Sequence, residues 1–373
     1  MEPVLETNEA SVIAEKKNGV GWITLNRPRA INSLNADMAE GIFAALTSWL
    51  ADDGVRLVVI AGAGEKGFCA GGDMRAMHRL RDNGIESYAE RFFTVEYEAD
   101  DLIHRYPKPV LAYMDGIVMG GGVGLSVGAS HRVVTETTKW AMPEMNIGFF
   151  PDVGASYFLN RFPEGIGRYL ALTADVIRSE DALFVGAADY LVSRERWSEA
   201  KASILEEDWF AGDAAVKLDR LLRRYAEPAS APSRLARDHE AIRKHFRFDA
   251  VEEIFSSLER DASDGDEWAA RTLQGLAEKS PLSLKAALSQ LRRGSGLSLQ
   301  DCLAMELNLA MNFMSCHDFY EGVRAVLVDK DRNPVWKPAD LGGVAEERVS
   351  SLFRYDWKQG VNPLAARFAS AQS

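Results

Sequence analysis

The spacing of apolar and polar residues predicts an alternation of strands and helices through the first half of the chain. Residues 11–15 and 20–25 read as two strands, and Lys17-Asn18-Gly19 between them carries the Asn-Gly pair of a tight hairpin. Pro28 removes a backbone donor and restricts its neighbour, so 26–30 reads as a loop. Met38, Ile42, Ala45, Leu46 and Trp49 recur at helical spacing and predict a helix over 36–52. The unbroken apolar run 55–61 predicts a strand buried on both faces. Asp73 opens a helix reaching about residue 81, first of all as its N-cap. A long helix-compatible segment spans 85–106, with Phe92, Val95 and Leu102 facing inward, until Pro107 and Pro109 end it. Strands follow at 110–118 and 131–135, then a loop-rich stretch over 140–151, then helical patterns at 153–161 and 166–172.

Strands joined by helical crossovers imply an α/β fold with parallel pairing. Composition shifts at Glu227-Pro228-Ala229-Ser230-Ala231-Pro232-Ser233, which reads as a linker or exposed turn. Two regions are therefore expected, a catalytic core over 10–225 and a helical C-terminal region over 233–373 packed on it. In the latter, Ser280-Pro281 reads as an N-cap followed by proline at the first helical position. Ser298 and Asp301 start another helix with a variant capping box, its inward face built from Leu303, Leu307, Ala310, Met311 and Met314. The methionines read as core filler. No chemical site of its own is expected in the last third.

Chemistry enters with two glycine-rich turns. Phe68-Cys69-Ala70-Gly71-Gly72-Asp73 and Met119-Gly120-Gly121-Gly122-Val123-Gly124 each follow a strand-like run and lead into a helix-like segment. The first N–H groups of a helix lack internal partners, and the helix dipole favours negative charge beside them. One such turn alone is an ordinary feature. Two facing one pocket would make an oxyanion hole for a carbonyl.

Composition narrows the partners. The chain has 373 residues, 47% hydrophobic content and a net charge of −12, so nucleic acid is not expected as a partner. The cysteines, Cys69, Cys302 and Cys316, are few and scattered, which fits a reducing compartment. No metal site is expected. Residues 1–10 carry three glutamates and no arginine, unlike a signal or transit peptide, and a cytoplasmic location is expected. The uncharged run 116–130 is too short and glycine-rich to span a bilayer, so no membrane partner is expected.

Glu144 and Asp152 lie eight residues apart in Met142-Pro143-Glu144-Met145-Asn146-Ile147-Gly148-Phe149-Phe150-Pro151-Asp152-Val153-Gly154, an otherwise apolar stretch. A carboxylate in such surroundings has a raised pKa or a specific partner, which is how an acid, base or nucleophile is prepared. Equally, Glu144 could cap a turn and Asp152 the helix that follows.

With these pieces the chain resembles the enoyl-CoA hydratase/isomerase (crotonase) superfamily. The carriers are Asn26-Arg27-Pro28-Arg29-Ala30-Ile31-Asn32, the two glycine turns, the Met142–Gly154 stretch and a C-terminal signature. That signature runs from Asp318-Phe319-Tyr320-Glu321-Gly322-Val323-Arg324-Ala325 to Pro334-Val335-Trp336-Lys337-Pro338-Ala339. The last two stretches resemble the 3-hydroxyisobutyryl-CoA hydrolase branch. The resemblance implies a crotonase-type spiral of β-β-α units with a helical C-terminal region. It implies hydrolysis of a short 3-hydroxyacyl-CoA, 3-hydroxyisobutyryl-CoA or 3-hydroxypropionyl-CoA, as in valine catabolism, with coenzyme A as part of the substrate and no other cofactor.

On that resemblance, Gly72 and Gly121 N–H hold the thioester oxygen. Glu144 and Asp152 stand at the reacting carbon, and Glu96 lines the acyl pocket. Arg29, Ala30, Ala70 and Arg75 are candidates for holding coenzyme A, though Arg29 and Arg75 equally fit solvated surface. Glu144 as nucleophile or as general base stays open. Hydratases of this superfamily usually have a glutamate where this chain has Gly124, which favours hydrolysis over hydration or isomerisation. A binding protein without activity is the other alternative. Superfamily members often form trimers or hexamers, and a homo-oligomer stays open too.

Overall fold

The computed structural model describes residues 10–371; the acidic segment 1–9, read above for targeting, lies outside them. Strands β1 (Val12–Lys17) and β2 (Val20–Leu25) form the expected antiparallel hairpin, with Asn18 at φ 47 and Gly19 at φ 79 in the turn. Helix α1 (Ala36–Leu50) is capped by Asn35, whose side chain accepts from Met38 N. Strand β3 (Leu57–Gly62) pairs parallel with β2 and with β5 (Val110–Met114), and β5 pairs parallel with β7 (His131–Val134) and β7 with β9 (Tyr190–Leu191). The result is a six-stranded sheet in the order β1-β2-β3-β5-β7-β9.

Both faces of this sheet are covered, and β3 shows why its sequence has no polar alternation. Val58 and Ile60 point into the large core, and Leu57 and Val59 into a second core on the opposite face. The second core is closed by the helices Arg194–Glu206 and Ala214–Tyr225, through Trp197, Ile204, Leu218 and Leu222.

A second, three-stranded parallel sheet carries the chemistry, in the order β4 (Gly67–Cys69), β6 (Ile117–Met119), β8 (Lys139–Ala141). The single strand expected over 110–118 is therefore two strands in different sheets. The chain breaks at Gly116, which has φ 65 and where a Cβ would stand 2.6 Å from Lys66 O. Only glycine combines that left-handed backbone with so close an approach.

Helix α2 (Met74–Arg79) is capped by Asp73 as expected, Asp73 accepting from Ala76 N and also pairing with Arg27 at 3.1 Å. Helix α3 (Ile85–His104) presents Phe92, Phe93, Glu96, Tyr97 and Asp100 inward, while Val95, expected there, is only half-buried. Helix α4 (Gly121–Val127) follows β6, and α5 (Ala155–Phe158) follows the Asp152 segment. Both predicted caps of the C-terminal helices are present: Ser280 accepts from Ser283 N, and Ser298 from Asp301 N. The helix Leu299–Phe313 packs on α3 and α5, with Leu303, Leu307, Ala310, Met311 and Met314 buried. Among the described residues no helix is long and apolar enough to cross a membrane.

Candidate active site

The small sheet explains how remote motifs meet. β4 runs into the first glycine turn, β6 into the second and β8 into Pro143-Glu144, and parallel pairing sets these three ends side by side. A Cβ at Gly71 would lie 3.1 Å from Met119 O and 3.5 Å from Gly121 N, so the two turns touch.

The backbone donors of these turns are almost all spent. Ala70 N donates to Ile31 O at 2.9 Å, Gly71 N to Cys69 Sγ at 3.4 Å and Asp73 N to Leu34 O at 2.7 Å. Gly120 N donates to Ala141 O at 3.2 Å, and Val123 N and Gly124 N to Gly120 O. The amides of Gly72, Gly121 and Gly122 have no acceptor among the described residues, Gly121 and Gly122 being the first two residues of α4.

Carboxylates crowd the second turn. A Cβ at Gly121 would stand 2.3 Å from Glu96 Oε1, and one at Gly120 would stand 2.7 Å from Glu144 Oε1. Glu144 is 5% exposed at the start of the 3-10 turn Glu144–Ile147, where its carbonyl, not its side chain, closes the turn by accepting from Phe149 N. Asp152 is 4% exposed and accepts from Tyr97 Oη at 2.8 Å. Its side chain does not cap the next helix, whose N-cap is Gly154. Glu96 Oε1, Glu144 Oε2 and both carboxylate oxygens of Asp100 are buried with no hydrogen-bond partner.

Such groups hold protons tightly. Burial, then the negative charge of Asp152, pushes the Glu144 carboxyl well above its ordinary range. Burial, then Asp152, Asp100 and Glu144, does the same to Glu96. Asp152 is raised by burial to about 7, held back by its hydrogen bond from Tyr97.

The C-terminal signature stands behind this site. Asp318 accepts from Ser280 Oγ at 2.6 Å and from Lys337 N at 2.8 Å. Its helix, His317–Val323, presses on the Glu144–Ile147 turn so closely that a Cβ at Gly322 would lie 2.2 Å from Ile147 C. From the helix Leu299–Phe313, Glu306 accepts from Gly154 N at 2.7 Å, Ser156 N at 2.8 Å and Ser156 Oγ at 2.6 Å. Gln290 Nε2 donates to Pro151 O at 2.6 Å. The last third thus clamps the segment that carries Asp152. Sequence reasoning missed Asp100, Glu306 and Gln290; acids spaced four apart on the apolar face of α3 were the readable signal for Asp100.

The coenzyme A candidates divide. Ala70 N reaches Ile31 O, which draws the Arg29-Ala30 turn to the first glycine turn. Arg29 and Ala30 are exposed there, as is Arg75 on α2, and neither arginine makes an ion pair among the described residues. Asn32 fastens the loop, donating to Ala63 O and Gly67 O at 3.0 Å. No cluster suited to a metal ion occurs among the described residues.

Comparison with known proteins adds three findings. The sequence model of the family described as Enoyl-CoA hydratase/isomerase matches residues 20–353. The mitochondrial 3-hydroxyisobutyryl-CoA hydrolase of Danio rerio is 42% identical over 92% of this chain and 89% of its own, and that of Homo sapiens 41% over 92% and 88%. Among solved structures, a carnitinyl-CoA dehydratase from Mycobacterium thermoresistibile superimposes with TM-score 0.86 at 38% identity, covering 95% of this chain and 98% of that one. An enoyl-CoA hydratase from Rhodobacter sphaeroides gives 0.82 at 36%, covering 92% and 97%.

Proposed function

The chain belongs to the enoyl-CoA hydratase/isomerase family, and from that premise we infer that it hydrolyses 3-hydroxyisobutyryl-CoA to the free hydroxy acid and coenzyme A. The observation that carries the reading is the meeting of the unspent amides of Gly72 and Gly121 with the carboxylate of Glu144, whose Oε2 has no hydrogen-bond partner. We propose that the thioester oxygen takes those amides. Each donor of this kind typically lowers the barrier by about 3 kcal/mol.

In this reading Glu144 attacks the carbonyl or activates a water. Asp152, oriented by Tyr97, holds the 3-hydroxyl or hands a proton to the departing sulfur. Glu96 lines the acyl pocket beside Gly121. A site that buries polar groups for a hydroxyl disfavours acyl chains without one. One methyl is worth roughly 1 kcal/mol in an apolar pocket, so 3-hydroxypropionyl-CoA is proposed as a weaker substrate. Arg29, Ala30, Ala70 and Arg75 are proposed to meet the nucleotide end, and no cofactor beyond the coenzyme A of the substrate is invoked.

Hydration or dehydration is the second reading, favoured by the descriptions of the two solved structures. The position of the usual hydratase glutamate speaks against it. At Gly124 a Cβ would meet Asp100 Oδ2 and Val153 Cβ at 2.7 Å, which leaves no room for a side chain. The cytoplasmic expectation is corrected as well: the relatives are named as mitochondrial enzymes, which points to the mitochondrion. The composition of ten residues could not carry that expectation.

Assay of the wild-type chain for free thiol from 3-hydroxyisobutyryl-CoA, and for loss of enoyl absorbance from a short enoyl-CoA, separates the readings. Thiol release without enoyl loss is expected. Enoyl loss without thiol release would replace this reading with the second.

A further inference from the structure

Asp100 is a buried carboxylate to which the mechanism above gives no task. It is 4% exposed, and neither of its oxygens has a partner. It belongs to a ladder on α3, where Glu96, Asp100 and His104 follow one another at intervals of four residues and so share one face. Each rung meets a glycine of the chain opposite. A Cβ at Gly121 would stand 2.3 Å from Glu96 Oε1, one at Gly124 would stand 2.7 Å from Asp100 Oδ2, and one at Gly128 would stand 3.1 Å from His104 Cβ. The first rung lies at the acyl site and the last, His104, is exposed.

A cavity of about 320 Å³ lies along the last two rungs, with Asp100, Gly124 and Val153 at its buried end and exposed His104, Arg161 and Gly186 at its outer end. At roughly 30 Å³ per molecule it has room for several waters. Successive rungs are about 6 Å apart along the helix, a gap that one bridging water closes.

We propose that this cavity is a rear passage to the acyl site, along which the hydrolytic water arrives and the surplus proton leaves through Asp100 toward His104. The proposal rests on the hydrolase reading and explains a need that reading creates. Hydrolysis consumes one water: its oxygen bonds to the acyl carbon, the C–S bond breaks and the sulfur takes one proton. The new carboxylic acid ionises, so a second proton must leave. A docked thioester closes the front of the site with its own trailing coenzyme A chain.

The electrostatic surroundings suit a proton carrier. Glu96 and Asp101 on the same helix, and Asp152 and Glu306 from the elements packed on it, surround Asp100 with negative charge. Arg132 and Arg161 stand farther out along the cavity. Burial, then Asp152, Glu306 and Asp101, pushes the Asp100 carboxyl well above its ordinary range.

The test uses Asp100→Asn, which keeps the side chain's shape, and Val127→Trp, which fills the cavity wall. With 3-hydroxyisobutyryl-CoA, both should lower kcat at least tenfold while KM stays within twofold. Sodium formate at constant ionic strength should restore part of the Asp100→Asn rate in a saturable way, and the double variant should lose that rescue. Asp100→Asn should also denature no earlier in urea than the wild type. Wild-type kcat in both variants, or a loss that formate does not restore, would overturn the passage while leaving the hydrolase reading intact. A wild-type chain that releases no thiol sinks both.

Discussion

Glu144 and Glu306 are both buried glutamates of one continuous interior, and they differ in what meets their oxygens. Glu306 collects Gly154 N, Ser156 N and Ser156 Oγ, with Gln290 Nε2 at 3.2 Å, and burial raises it only to about 7 because those donors favour its charge. Glu144 Oε2 has no donor, and its carboxyl is raised well above the ordinary range. Burial alone therefore does not mark a reactive acid. A buried carboxylate wrapped in donors is a clamp; one left without them is held ready for a substrate, at a cost in stability.

Exchanging the two roles by mutation is the sharpest way to break this contrast. Glu144→Gln should lower kcat for thiol release about a thousandfold, within the range for losing a positioned acid or base, with urea stability unchanged or higher. If it loses stability and keeps its rate, Glu144 is the clamp. Glu306→Ala should do the reverse. It strands two buried N–H groups, and urea denaturation should show a loss of about 3 kcal/mol, whereas Glu306→Gln should lose less.

A pH series sharpens the contrast further. Asp152 is raised from its ordinary carboxylate range to about 7, so between about pH 4 and about 7 the folded chain keeps a proton that the unfolded chain gives up. The contribution of Asp152 to stability should fall as pH rises through that window, by at most about 1.4 kcal/mol per unit, and level off above it. Asp152→Asn should make the curve shallower in that window, as measured by urea midpoints against pH. The smallest effect is expected for Tyr97→Phe. It removes the hydrogen bond that holds Asp152 down, so the acid limb of kcat/KM should move to higher pH, with kcat at its optimum within about tenfold of wild type.

Much of this was legible because it is local. The Asn18-Gly19 turn, the Asp73, Ser280 and Ser298 caps and the β3 run depend on residues within a few positions, and each formed as the pattern predicts. The division of 110–118 between two sheets was not legible, because the break at Gly116 answers to Lys66 from another strand. Val95 shows the same limit: helical periodicity marks a face but not its edge.

The sequence by itself determined where the bare amides would arise and that Glu144 and Asp152 would sit among apolar neighbours, since glycine turns before helices and acids beside prolines are properties of short stretches. Only the tertiary structure brought further carboxylates to that interior and decided which of them would find donors. Glu306 meets Gly154 and Ser156 from 150 or more residues away, and Asp100 meets only the space that Gly124 leaves. Hydrogen bonding acts over about 3 Å, so a group's partners are set by packing that brings distant segments together. No run of neighbouring residues records them.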